Sequence, residues 1–121
     1  MSRLVIAAVG DLFFASKIRG AGEQAGAEVV FVRDAESLIR KVESDAPALV
    51  ILDLQTDKLD PVEVVERLKT SEATRGVRVI GFLSHVEVEL QRRAKEAGFD
   101  QVMPRSVFSQ RLPEIMRESI G

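Results

Sequence analysis

Two hydrophobic patterns alternate along the chain. Short apolar runs occupy Arg3 to Val9, Glu28 to Arg33, Ala48 to Asp53, Val77 to Leu83 and Gln101 to Met103. Runs of this length, rich in β-branched residues and polar only at their ends, predict strands buried on both faces. Between them, apolar residues recur at helical spacing. Phe14, Ile18, Ala21 and Ala25 form one stripe, closed by Gly26; Leu38, Ile39 and Val42 form another within Ala35 to Ser44. Pro61 suits the first position of a helix running to Lys69, with Val62, Val64 or Leu68, and Val65 inward. Leu90, Ala94 and Ala97 mark a fourth helix ended by Gly98, and Phe108, Leu112, Ile115 and Met116 mark a fifth.

Strict strand-helix alternation implies parallel strands joined by right-handed crossovers, with helices on both faces. Five units predict an α/β fold: a single doubly wound five-stranded sheet of the flavodoxin-like type, strand order 2-1-3-4-5, with five helices. A closed barrel would need eight units. One domain, 1–121, is expected, since no linker or low-complexity tract interrupts the 121 residues.

Composition narrows the function classes. Apolar residues make up 45% and charged residues 30%, as in a globular protein with its own core. The net charge of −2 supplies no field for nucleic acid or an anionic membrane, so neither is expected as a partner. The absence of cysteine excludes thiolate metal sites, disulfides and cysteine nucleophiles. The apolar run at Leu4 to Val9 is too short for a signal peptide or a membrane span, so a cytoplasmic location is expected.

Chemistry in such sheets collects outside the carboxyl ends of the strands. Asp53 stands there, ending Leu49-Val50-Ile51-Leu52, as a nucleophile, a metal ligand or a loop cap. Asp11, ahead of Leu12-Phe13-Phe14, reads as the N-cap of the first helix. Ser84 and His85 end the fourth strand, but neighbours on an extended strand point to opposite faces and make no nucleophile-base pair. Arg105 reads as a solvated cation or a clamp for an anion, Ser106 as the N-cap of the last helix, and Lys58 as a loop charge or substitute cation. Gly20, Gly22 and Gly26 lie too late in the first helix for a dinucleotide fingerprint and read as close-packing or helix-end positions. The Arg92, Arg93 and Lys95 face is offset by Glu87, Glu89 and Glu96.

The stretch LVILDLQTDKLDPVEVVERLK resembles the phosphoacceptor region of response-regulator receiver domains (CheY-like). AKEAGFDQVMPR and QAGAEVVFVRDAESLIRKV are similar to that family's later strand and its second strand and helix, so the resemblance spans essentially the whole chain. It implies a non-enzymatic two-component (phosphorelay) signalling module with Asp53 at the phosphoacceptor position. The family's acidic pair falls on Val9 and Gly10, its hydroxyl on Leu83 with Ser84 one residue late, its lysine on Arg105 and its aromatic switch on Val102. The resemblance with these departures implies a degenerate phosphorylation site and action through protein-protein interaction. The alternative is a working receiver phosphorylated on Asp53 by a histidine kinase. There Asp11, Asp53 and the Gln55 carbonyl would hold Mg2+, and Ser84 and Arg105 would contact the phosphoryl oxygens. A second alternative is a small ligand-binding flavodoxin-like domain. Partners implied are a histidine kinase or output domain on the face of the fourth helix, fifth strand and fifth helix, or a second copy in a homodimer.

Overall fold

The computed structural model describes residues 2–85 and 87–120. Five strands, β1 (Leu4–Ala8), β2 (Glu28–Phe31), β3 (Leu49–Asp53), β4 (Val79–Leu83) and β5 (Gln101–Pro104), alternate with five helices. The helices are α1 (Leu12–Ala25), α2 (Ala35–Asp45), α3 (Pro61–Thr70), α4 (Val88–Ala97) and α5 (Arg105–Ile120). All pairings are parallel, in the predicted order β2-β1-β3-β4-β5.

The sheet divides two apolar layers. One contains Ile6, Val50, Leu52 and Val79 packed with Leu38, Val42, Val65, Leu68 and Ala94 of α2, α3 and α4. The other contains Val5, Ala7, Ile51, Ile80 and Phe82 packed with Phe14 and Ile18 of α1 and Phe108, Leu112, Ile115 and Met116 of α5. Successive residues of one strand thus feed opposite layers, which is why the strands read as unbroken apolar runs. In α3, Val62, Val64, Val65 and Leu68 are all buried.

Local signals set the helix ends. Asp11, Asp34 and Asp60 accept backbone N–H bonds at the starts of α1, α2 and α3. Gly26 (φ 78°) and Gly98 (φ 114°) close α1 and α4 in the left-handed conformation that glycine adopts without strain. Gly22 serves close packing, since a Cβ there would collide with Val29 Cγ2. Several expected strands are longer than the observed ones: β1 stops before Val9, β2 before Val32 and Arg33, and β4 starts after Val77 and Arg78. Ser106 is not an N-cap, because α5 begins at Arg105 directly after β5 and places Ser106 inside its first turn.

Candidate functional site

The register of the central strands places the functional edge. Ala8 lies beside Leu52 and Asp53 beside Phe82, so one step further Val9 stands level with Asp53. The loops after β1, β3, β4 and the start of α5 therefore surround the Asp53 carboxylate.

Asp53 is half-buried, and its Oδ1 accepts a hydrogen bond from the Gln55 backbone N–H at 2.9 Å. Burial raises its pKa above the ordinary carboxylate value, and the Asp11 charge adds to this; the Gln55 N–H and the Arg105 charge oppose it. The folded protein therefore holds this proton more tightly than the unfolded chain. That contribution to stability is full below the ordinary carboxylate pKa and is lost as pH rises through the raised value. Asp53→Asn should accordingly melt higher than the parent protein at neutral pH. The gap should close on acidification towards about pH 4. Thermal melts across that range check this; an Asn variant no more stable at neutral pH would contradict it.

Asp11 does two things at once. Its Oδ1 accepts from the N–H groups of Phe13 (2.8 Å) and Phe14 (3.2 Å), capping α1 as expected. Its Oδ2 accepts from Arg105 Nη2 at 2.5 Å. The Arg105 bond comes first, with the cap bonds, in holding the Asp11 carboxyl below the usual range. Arg105 is thus a fixed partner rather than the solvated cation that was one reading of it. Its guanidinium carbon lies 4.2 Å from the centre of the Phe14 ring, a cation-π platform, and its Nη1 reaches Ser84 Oγ at 3.5 Å. The structure brings Asp11, Asp53, Ser84 and Arg105 to one edge. Lys58 is not bonded to this group; it lines a pocket together with residues of α1 and the end of β2.

Gln55 has a role that its position alone did not reveal. Its Oε1 accepts from the N–H groups of Ser84 (2.7 Å) and His85 (3.2 Å), while its Nε2 donates to the His85 carbonyl (3.1 Å) and Glu87 Oε2 (2.6 Å). One side chain therefore ties the loop after β3 to the segment between β4 and α4. The only local signal is a long amide two residues after a strand-ending Asp. At about 0.5–1.5 kcal/mol per buried hydrogen bond, and less where water competes, Gln55→Ala should cost roughly 1–2 kcal/mol. Its clearest readout is amide exchange at Ser84 and His85, which should accelerate about tenfold or more. Unchanged protection there would refute the clamp.

On α4, Arg92 pairs with both Glu89 and Glu96, whereas Glu87 bonds the Gln55 amide instead of this basic face. Among the described residues no three His, Cys, Asp or Glu side chains gather to hold a metal ion. Among the described residues, too, no helix is long and apolar enough to cross a membrane.

With this geometry in view, the chain matches known proteins along nearly its whole length. The family profile "Response regulator receiver domain" matches residues 11–117. A gliding motility regulatory protein of Myxococcus xanthus is 33% identical over 99 residues, covering 81% of this chain and 13% of that protein. The curated relatives are much longer, this chain spanning between 11% and 29% of their lengths. The fold matches a signal receiver domain from Bermanella marisrubri with a TM-score of 0.83, at 17% identity and 100% coverage of both chains. The receiver domain of sensor histidine kinase PA1611 from Pseudomonas aeruginosa PAO1, described with a magnesium ion coordinated in its active site cleft, also gives 0.83. It is 16% identical, with coverage of 100% and 99%. The order of the strands, the Asp at the end of β3 and the match over residues 11–117 agree: this chain belongs to the response regulator receiver domain family.

Proposed function

We propose that this chain is a two-component receiver module whose phosphorylation site is degenerate and that it signals by binding other proteins. The observation that carries this reading is the double engagement of Asp11. Mg2+ demands near-octahedral oxygen ligation and is usually held by one or two carboxylates together with phosphate oxygens. Here the carboxylate nearest in role to Asp53 caps α1 with one oxygen and pairs with Arg105 through the other. Val9 and Gly10, which follow β1, contribute no carboxylate. The cation site is thereby reduced to Asp53 and the Gln55 carbonyl, a donor set that does not fit tight Mg2+ binding. The Gln55 clamp supports the same reading, because it orders the segment after β4 without a phosphoryl group.

As a member of a signalling family rather than an enzyme family, the module would work by presenting a surface, in the cytoplasm. The α4-β5-α5 face is our choice for a histidine kinase, an output domain or a second copy of the chain. β5 is an edge strand, and the helices packed against it, α4 and α5, carry the exposed apolar residues Val88 and Val107. The rival, a working receiver, draws on the presence of Asp53 with a cation and a hydroxyl beside it. Incubation with acetyl phosphate and Mg2+, followed by intact mass, distinguishes them. The degenerate module gains no phosphoryl group, whereas a gain that disappears in Asp53→Ala would establish the rival.

A further inference from the structure

A pocket opens between α1 and the ends of β1 and β2, and Asp53 does not line it. Its apolar walls are formed by Val9, Leu12, Ala15, Phe31 and Val32, and its volume is about 240 Å³. Three cations border it: Arg19 from α1, Arg33 after β2, and Lys58 from the loop after β3. No carboxylate lines it. Among the described residues none of these three cations makes an ion pair. Asp34, next to Arg33 in sequence, is occupied in capping α2, with its oxygens accepting from the N–H and hydroxyl of Ser37. Of the acids beside Lys58, Asp60 caps α3 and Asp57 does not line the pocket. The Arg19 guanidinium lies 4.9 Å from the centre of the Phe31 ring, which fixes it at the pocket edge. Leu12 stands at the mouth, 84% exposed, and is unusual for so large an apolar side chain.

We propose that this pocket binds a compact amphipathic anion, an aryl or alkyl phosphate or carboxylate. Size and charge together define the class. A cavity of about 150 Å³ accepts benzene, whereas drug-sized ligands occupy about 300–1,000 Å³. A volume of about 240 Å³ therefore suits one ring or short alkyl body with a single head group. Three cations with no carboxylate among the lining residues favour an anionic head, and the apolar walls together with Leu12 favour a body that leaves water. Binding closes Leu12 over the ligand and removes exposed apolar surface at the start of α1, the helix that Asp11 caps.

Phenyl phosphate is a suitable probe, titrated into the 15N-labelled chain at millimolar concentrations. Saturable amide shifts are expected at Gly10, Val32, Arg33 and Lys58, with much weaker binding of benzyl alcohol, which keeps the ring without the charge. Inorganic phosphate, which keeps the charge without the ring, should also bind more weakly. Substituting both Arg19→Gln and Arg33→Gln should weaken phenyl phosphate tenfold or more while the spectrum stays that of the folded protein. The response should persist in Asp53→Ala, so the pocket stands or falls independently of the phosphorylation site. Absence of saturable shifts, shifts confined to Asp53, Ser84 and Arg105, equal binding of benzyl alcohol, or full binding by the double variant would each overturn the proposal.

Discussion

Replacing Gly10 by Asp should strengthen Mg2+ binding at the Asp53 edge well beyond that of the parent protein. Gly10 follows the end of β1, one residue past the position level with Asp53. A Cβ built there meets only Thr56 Oγ1, at 3.7 Å, an ordinary contact, and the backbone is not left-handed. The new carboxylate would therefore enter without strain beside the loop that follows Asp53. Unlike Asp11, it would not be drawn into the α1 cap, whose N–H groups already have a partner. Two carboxylates in place of one should strengthen cation binding by about tenfold or more, some 1.4 kcal/mol. Mg2+ titration followed by amide shifts at Asp53 and Gln55 reads the effect directly. If Gly10→Asp binds no better than the parent, missing carboxylates are not what weakens this site.

The largest loss of stability is expected from Phe82→Ala. Phe82 is 1% exposed on β4, the strand next to Asp53, and its ring lies 4.8 Å from Phe14 and 4.9 Å from Phe108, centre to centre. Truncation leaves a cavity beside the two remaining rings, which typically costs about 3–5 kcal/mol. Against a total stability on the order of 5–15 kcal/mol, that is a large share. The melting temperature should fall by roughly 10–20 °C. Phe14 also carries Arg105, so the variant should lose order in the Arg105-Asp11 pair as well as global stability. Denaturant unfolding checks the first effect, and the NMR line widths of the Arg105 side chain check the second. A cost below about 1 kcal/mol would mean that the ring cluster does not support the site.

Legibility differed sharply between fold and site, for a physical reason. A buried parallel strand must be apolar on both faces, so β3 and β4 announce themselves as Leu49-Val50-Ile51-Leu52 and Val79-Ile80-Gly81-Phe82-Leu83. Helix ends are equally local, since Asp11, Pro61, Gly26 and Gly98 act within a turn of their own positions. Strand ends are less so: the apolar pattern runs on through Val9 and Val32, past the last residues of β1 and β2. Asp53 could be found because the fold puts chemistry at strand ends. The Arg105-Asp11 pair could not, because it joins residues 94 positions apart and no spacing encodes it. The Gln55 clamp spans about thirty residues for the same reason, and the Phe14 platform becomes visible only when α1 meets the start of α5.

The family match leaves Asp53 chemistry as the central question, and one titration addresses it most directly. Beryllofluoride with Mg2+ imitates a phosphoryl group on a carboxylate, so amide NMR spectra of the intact chain should be recorded as both are added. With a degenerate site, no saturable shifts are expected at Asp53, Gln55, Ser84 or Arg105, and the Arg105-Asp11 pair stays unchanged throughout. Saturable shifts at those residues that vanish in Asp53→Ala would contradict a degenerate site and establish a working receiver.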